Sequence, residues 1–400
     1  MKILVLNSGS STLKYQLFEV EGDKYNVIAK GNAERIGIPG SFVGIKYANG
    51  EKRTVDVNLP THNEALREVF ALLLDGVIES LDEIKAVGHR VVHGGETFKK
   101  STLVDEKVIK EIEDLSILAP LHNPAAVLGI RAVQKALPQT PQVVTFDTAF
   151  HQTMPKKAFL YGLPLEQYTQ HKIRKYGAHG TSHQYVAEEA AKILGRKGKF
   201  ITCHIGSGAS ISAVDNGVCV DTSMGFTPLG GIIMGTRTGD MDPYIPLHIM
   251  KYQNKTVDEV NTLMNKQSGM QGLAGYSDMR DVEAEYLKGN PRAIDALEAY
   301  VYTITKFIGS YIAAMGGVDA IIFTAGVGEN SPIVRSKVLN NLKYLGIEID
   351  DEKNNIRGEQ NMITTPNSKV KAFVIPTNEE LVIARDTKNL VAKELNNKVA

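Results

Sequence analysis

Cysteine is scarce: Cys203 and Cys219 are the only two in 400 residues. Two thiols cannot build a disulfide framework or a four-ligand zinc site, and they suit a reducing compartment. Net charge is missing as well, because 45 basic residues balance 45 acidic ones. That argues against a nucleic-acid partner held by bulk charge. No apolar run approaches the ~18 residues that span a bilayer, so no membrane partner is expected. The opening Met1-Lys2-Ile3-Leu4-Val5-Leu6-Asn7 falls short of the ~7–15-residue apolar core of a signal peptide and reads as a first strand. A cytoplasmic location is expected. A composition of 43% apolar and 22% charged residues is that of a globular chain, not a disordered one.

Glycine is mildly abundant, 36 of 400 against a usual ~7%, so its placement matters more than its number. Short β-rich runs alternate with helical patterns, which predicts an α/β fold. A strand over 2–7 is followed by Ser8-Gly9-Ser10-Ser11-Thr12 and a second strand at about 13–20. The same grammar recurs later: a strand over 200–205, then Gly206-Ser207-Gly208-Ala209-Ser210, then a strand over 211–214. This echo suggests a duplicated unit, and length alone predicts two or three domains at ~150 residues each. Thr61-His62-Asn63-Glu64 fits a helix-capping box, and Asn216-Gly217 fits a hairpin turn. Helices are predicted over 182–194 and from Asn290-Pro291 to Met315. The second carries an apolar stripe of Ile294, Leu297, Val301, Ile304, Ile308 and Ile312. A strand over 320–324 leads into an Ala325-Gly326-Val327-Gly328-Glu329-Asn330 loop, and a last helix begins near Asn378.

A Gly/Ser turn between strands is either a tight hairpin or a cradle of N–H groups for an anion. Neither turn is a Walker A or Rossmann motif. Two such turns plus Gly326-Val327-Gly328 suggest a nucleotide with several phosphates. His179 and His183 stand four apart, as zinc ligands on a helix would. However, Gly180 intervenes and Ser182 reads as a helix cap, so they are not expected to share a face. His62, His171 and His248 read as structural. Arg90, inside an apolar strand, and Arg237, in Met234-Gly235-Thr236-Arg237-Thr238-Gly239-Asp240, each need a partner. That partner is either a structural carboxylate or a bound carboxylate or phosphate. Asp147 ends a strand, where it either caps a turn or faces a ligand.

At these residues the chain resembles the acetokinase family. The blocks are Asn7 to Lys14, Gly88 to Gly95, Phe146 to His151, His179 to His183, Met234 to Pro243, Phe323 to Ser331 and Pro376 to Glu380. They run in the family's order from residue 1 to about 386. The resemblance implies two ribonuclease-H-like (actin-like ATPase) domains flanking a nucleotide cleft. They would comprise 1–149 plus 381–400, with the carboxylate side and first phosphate loop, and 150–380, with nucleotide binding and dimerisation. It implies a homodimer that reversibly transfers the ATP γ-phosphoryl to acetate, giving acetyl phosphate and ADP. Mg²⁺ would be required, with Mn²⁺ able to substitute.

By position, the resemblance assigns the metal site to Asn7 and Glu379 and the first phosphate hairpin to Ser10, Thr12 and Lys14. Arg90 and Arg237 would hold the acetate carboxylate and the phosphoryl in flight. Asp147 matches an essential carboxylate, and His179 an imidazole that stabilises the transferring group. ATP contacts fall on His204, Ile205, Gly206, Ser207 and Gly208, on Asp278, Met279 and Arg280, and on Gly326, Val327, Gly328, Glu329 and Asn330. Val92, Leu121, Ala178 and Pro228 would line the pocket for the acetate methyl. A carboxylate acceptor is already ionised at neutral pH. Asp147 is therefore read as an orienting or metal-side group, not a proton acceptor.

Four positions depart from the family pattern. Ser207 stands for asparagine, Thr12 for serine, Gly230 for a larger residue and Ala178 for phenylalanine. The last predicts a roomier acyl pocket that takes propionate. The rival readings are a propionate or butyrate kinase of the same superfamily and a non-enzymatic actin- or Hsp70-like ATP-binding protein.

Overall fold

The computed structural model describes residues 1–399, without the side chains of 395 and 397–399. The chain forms two compact units, Met1–Ala149 with Asn378–Ala400, and Phe150–Thr377. The chain returns to the first unit at Asn378, not at the expected 381. The reason is local: Glu379 begins the helix Glu379–Val399, which packs on the sheet of that unit.

The first unit is built on β1 (Lys2–Ser8), β2 (Thr12–Glu21), β3 (Lys24–Glu34), β4 (Phe42–Tyr47), β5 (Lys52–Asp56), β6 (Ile84–Val91), β7 (Thr102–Leu103) and β8 (Gln142–Phe146). Their order in the sheet is β5-β4-β3-β2-β1-β6-β8-β7. β1 to β3 form an antiparallel meander, while β6 and β8 run parallel to β1. β1 reads Lys-Ile-Leu-Val-Leu-Asn-Ser, and Ile3, Leu4, Val5 and Leu6 are all buried. That is expected of a central strand covered on both faces.

The second unit repeats the plan with β9 (Lys199–Ile205), β10 (Ala209–Asp215), β11 (Val218–Thr222), β12 (Ala320–Thr324), β13 (Asn361–Met362) and β14 (Lys371–Val374), ordered β11-β10-β9-β12-β14-β13. β9 to β11 are antiparallel, and β12 and β14 run parallel to β9. The echo between 2–20 and 200–214 is therefore the matching first hairpin of two sheets with one topology. Helix Pro291–Met315 packs against β9 and β10. Leu297, Val301, Ile304 and Ile308 are buried as its stripe predicts, whereas Ile294 and Ile312 are only partly covered.

Two expected boundaries are corrected. The helix after His179 is Gly180–Leu194, so Ser182 lies in its first turn and is not its cap. Gly326 to Asn330 is no loop: Ala325–Asn330 is a short helix that leaves β12 directly. The strands over 24–56 and the helices over 244–287 were not foreseen.

Candidate functional site

In the first unit the ligand-type residues stand at the carboxyl ends of the parallel strands, where open α/β sheets bind ligands. Register explains the grouping. Asn7 pairs with Lys14 on one side and Arg90 on the other, and Arg90 pairs with Thr145. The Asp147 N–H donates to the Val91 carbonyl at 3.0 Å. The hairpin between β1 and β2 closes through Gly9 N–H to the Thr12 carbonyl at 2.8 Å. A Cβ at Gly9 would lie 2.6 Å from Thr12 Oγ1, so a side chain there would have to displace that hydroxyl. Ser10 and Lys14 are exposed, Thr12 is half-buried, and the His62 ring donates from Nε2 to the Gly9 carbonyl at 2.8 Å.

Arg90 and Asp147 form a forked pair, Nε to Oδ1 at 2.9 Å and Nη2 to Oδ2 at 2.7 Å. Of the two partners left open for Arg90, the structural carboxylate is the one seen here. Glu379 Oε2 lies 3.8 Å from Arg90 Nε. Asp147 above all pushes the Arg90 pKa up, against the opposing effect of burial. Burial drives Glu379 the other way for an acid, up to about 7, with Arg90 opposing and Asp147 and Glu380 adding to the rise. Three carboxylates thus crowd one guanidinium. Both Asp147 oxygens are taken by Arg90, so of these carboxylates Glu379 is the one left to serve a cation, and Mg²⁺ needs only one or two protein carboxylates. Val92 is half-buried. Leu121 is 74% exposed on the loop before helix Asn123–Ala136.

In the second unit a cavity of about 660 Å³ is lined by Gly206, Ser207, Asp278, Met279, Arg280, Gly326, Val327 and Asn330. Gly235, Met270, Ser277, Glu283, Tyr300, Ser331 and Arg357 also line it. Most of the expected nucleotide residues are therefore brought together. Ile205 is not among the lining residues, being wholly buried in the core. Glu329 Oε1 accepts from Ala325 N–H at 2.7 Å, Thr377 N–H at 3.1 Å and Thr324 Oγ1 at 3.2 Å, so it braces the turn. Gly328 packs against the Phe323 and Cys203 backbone. Asp278 caps helix Met279–Leu287 and forks with Arg280, which holds its carboxyl down at about 2. Sequence reasoning did not assign Gly235, Met270, Ser277, Glu283, Tyr300, Ser331 or Arg357 to the site. Tyr300 sits on the core face of its helix and had no other signal.

Arg237 differs from Arg90. Its Nη1 donates to the Pro228 carbonyl at 2.7 Å, and it has no acidic partner among the described residues. Burial alone lowers its pKa. A Cβ at Gly208 would lie 2.8 Å from Nη2, so the turn between β9 and β10 rests directly on the guanidinium. A half-buried cation beside a Gly/Ser turn, with no counter-ion among the described residues, keeps its charge uncompensated.

His179 occupies the cap position of helix Gly180–Leu194 in a left-handed conformation (φ 54°), unusual for a residue with a side chain. His151 Nε2 donates to the neighbouring Ala178 carbonyl at 2.8 Å. The His179 ring stacks on His204 with centroids 4.0 Å apart. His179 lies outside the helix, so the two histidines do not share a helix face, yet they converge on one hydroxyl. Nδ1 of His179 and Nε2 of His183 lie 2.9 and 2.7 Å from the same Ser210 hydroxyl. Because the helix starts at Gly180, the cap residue and the residue four later face the same strand. His171 and His248 are no part of this cluster. Among the described residues no group of three or more His, Cys, Asp or Glu is placed to hold a metal unaided.

The chain matches the acetokinase family over residues 2–385. The acetate kinase of Thermotoga maritima is 57% identical, covering 98% of this chain and 99% of that one. The crystal structure of Porphyromonas gingivalis acetate kinase superposes with a TM-score of 0.94 at 45% identity, covering 98% and 99% of the two chains. That of a Francisella tularensis propionate kinase gives 0.91 at 42% identity, covering 97% and 99%.

Proposed function

The chain belongs to the acetokinase family, and from that premise we propose that it moves the γ-phosphoryl group of ATP reversibly onto acetate. It is a kinase with a carboxyl group as acceptor. A carboxylate oxygen forms the new P–O bond, the bond to the β-phosphate oxygen breaks, and ADP leaves. No proton has to be removed, since the acceptor is already ionised. The fork between Arg90 and Asp147 agrees with this, because it commits Asp147 to orienting a cation instead of taking a proton. Arg90 Nη1, which makes no hydrogen bond among the described residues, is left to grip the acetate carboxylate. The cavity lined by Gly206, Ser207, Asp278 and Gly326 takes the nucleotide. Arg237 and His179 meet the transferring group, whose charge spreads over its equatorial oxygens.

The observation that carries this reading is Arg237, without an acidic partner among the described residues, under the Gly206–Gly208 turn. Trapping with hydroxylamine tests it: ATP plus acetate should yield acetyl hydroxamate, and its absence would sink the reading. Asn7 and Glu379 are the residues that would hold Mg²⁺. When bound, the metal neutralises phosphate charge.

Propionate is the second acceptor, favoured by the small side chain of Ala178. That residue is 5% exposed and lies within the core cluster of the second unit. Ala178→Phe should raise the acetate-to-propionate ratio of kcat/KM by about tenfold, since a methylene is worth ~1–3 kcal/mol. It should also lower stability by about 1–3 kcal/mol through overpacking. An unchanged ratio rules Ala178 out as a selectivity determinant.

A homodimer is proposed from helix Tyr244–Tyr252, which has no buried residue although Tyr244, Leu247 and Tyr252 are 58%, 53% and 60% exposed. Such a face needs cover. Sedimentation equilibrium should give twice the 43.7 kDa chain mass, and a monomer at micromolar concentration contradicts the assignment. Both cysteines are free and buried, in keeping with a cytoplasmic location.

A further inference from the structure

A single buried imidazole connects the interior of the second unit to His179. His183 Nδ1 lies 2.7 Å from Thr202 Oγ1, and its Nε2 lies 2.7 Å from Ser210 Oγ. Ser210 Oγ continues 2.9 Å to His179 Nδ1. Thr202, His183 and Ser210 are all fully buried. Burial first, then the neighbouring His151 and His204, hold the His183 pKa well below its ordinary value, so this ring is neutral. A neutral imidazole has one N–H and one lone pair. Ser210 Oγ has no other acceptor for its own proton among the described residues, so it donates to one ring and accepts from the other, and the chain of hydrogen bonds runs in one of two directions.

In the first direction the Thr202 hydroxyl donates to His183 Nδ1, and His183 Nε2–H donates to Ser210. The Ser210 hydroxyl then donates to His179 Nδ1. In the second, every proton is reversed, and the Thr202 hydroxyl must turn to the Ser212 carbonyl at 3.5 Å. Both directions use the same contacts of 2.7, 2.7 and 2.9 Å, but the first places the Thr202 proton in one of them. The second spends the Thr202 proton on a contact at the limit of hydrogen bonding. The distances favour the first.

We propose that Thr202, His183 and Ser210 are positioning residues that fix the tautomer of His179, placing a lone pair on Nδ1 and its proton on Nε2. Nε2–H is then a donor for the phosphoryl oxygens without any need for an imidazolium. This rests on the proposed contact of His179 with the transferring group. The left-handed backbone at His179, braced by His151 at the Ala178 carbonyl, holds the ring where Ser210 reaches it.

The test is histidine ¹⁵N NMR on the full chain, with the His179 signals identified by their loss in His179→Asn. The expected wild-type pattern is an unprotonated Nδ1 and a protonated Nε2. Ser210→Ala should mix the two tautomers and lower kcat by roughly 10–100-fold, as loss of such outer partners does, while KM for ATP stays near wild type. Thr202→Val should show the same signature more weakly, and Thr202→Ser, which keeps the hydroxyl, should restore it. Should Ser210→Ala not fold, the Thr202 pair carries the test. A wild-type His179 protonated on Nδ1, or a tautomer unmoved in both Ser210→Ala and Thr202→Val, overturns the inference. Acetate-dependent ADP release by wild type is measured alongside. Its absence defeats the proposed function, and the NMR result then decides the relay alone.

Discussion

Arg237→Ala should lower kcat/KM by roughly 10³-fold while leaving the nucleotide-free protein as stable as wild type. The two halves of this expectation have one cause. Arg237 has no acidic partner among the described residues, so its removal orphans no charge there and costs none of the ~3–5 kcal/mol lost when a buried ion pair is broken. The desolvation that lowers its pKa is relieved. What disappears is the cation beside the Gly206–Gly208 turn, and donors aimed at a transferring phosphoryl are worth ~10²- to 10⁵-fold. Arg237→Lys keeps a charge but not the fork and should recover only part of the rate. Steady-state kinetics with a thermal melt of each variant checks both halves. A large fall in melting temperature would mean that the arginine holds the fold together.

Glu379→Gln should split stability from activity in the opposite sense. The folded state raises the Glu379 pKa from its ordinary 4.5 to about 7. Between those values the folded chain binds more protons than the unfolded one, so stability falls as pH climbs through that window. The full penalty, up to about 3 kcal/mol, is present above pH 7 and absent below pH 4.5. Glutamine removes it. Without metal or nucleotide, the variant should melt higher than wild type at pH 8 and equally at pH 4.5. With Mg²⁺–ATP it should lose activity on the order of 100-fold and need more Mg²⁺ for half-maximal rate. Equal melting temperatures at pH 8 would show that the carboxylate bears no such strain.

Much of this was legible in the chain itself. The two Gly/Ser turns mark the first hairpins of both sheets because a strand–turn–strand unit leaves a local signal. Thr61 does cap its helix, accepting from Asn63 N–H, and Asn216 and Gly217 do take positive φ. The strands over 24–56 left less trace, since β5 is almost wholly exposed and lacks an apolar face. Helix Tyr244–Tyr252 buries nothing, so it has no core stripe to read. The Gly180 start was hidden because its cap, His179, is a left-handed residue whose side chain makes no capping bond. For the site, Arg90 and Asp147 were identified separately, but their fork depends on the parallel pairing of β6 with β8. Arg335 shows the limit most clearly. It is wholly buried, bonding the Gly328, Asn354 and Ile356 carbonyls and Asn354 Oδ1, and nothing in its neighbourhood of the sequence announces that role.

The central claim is tested most directly by coupled ADP release from ATP and Mg²⁺ with acetate, propionate and butyrate side by side. ADP should form only when an acid is present, fastest with acetate, appreciably with propionate and least with butyrate. ADP release that is equal with and without acid, or that acetate fails to stimulate, would contradict it.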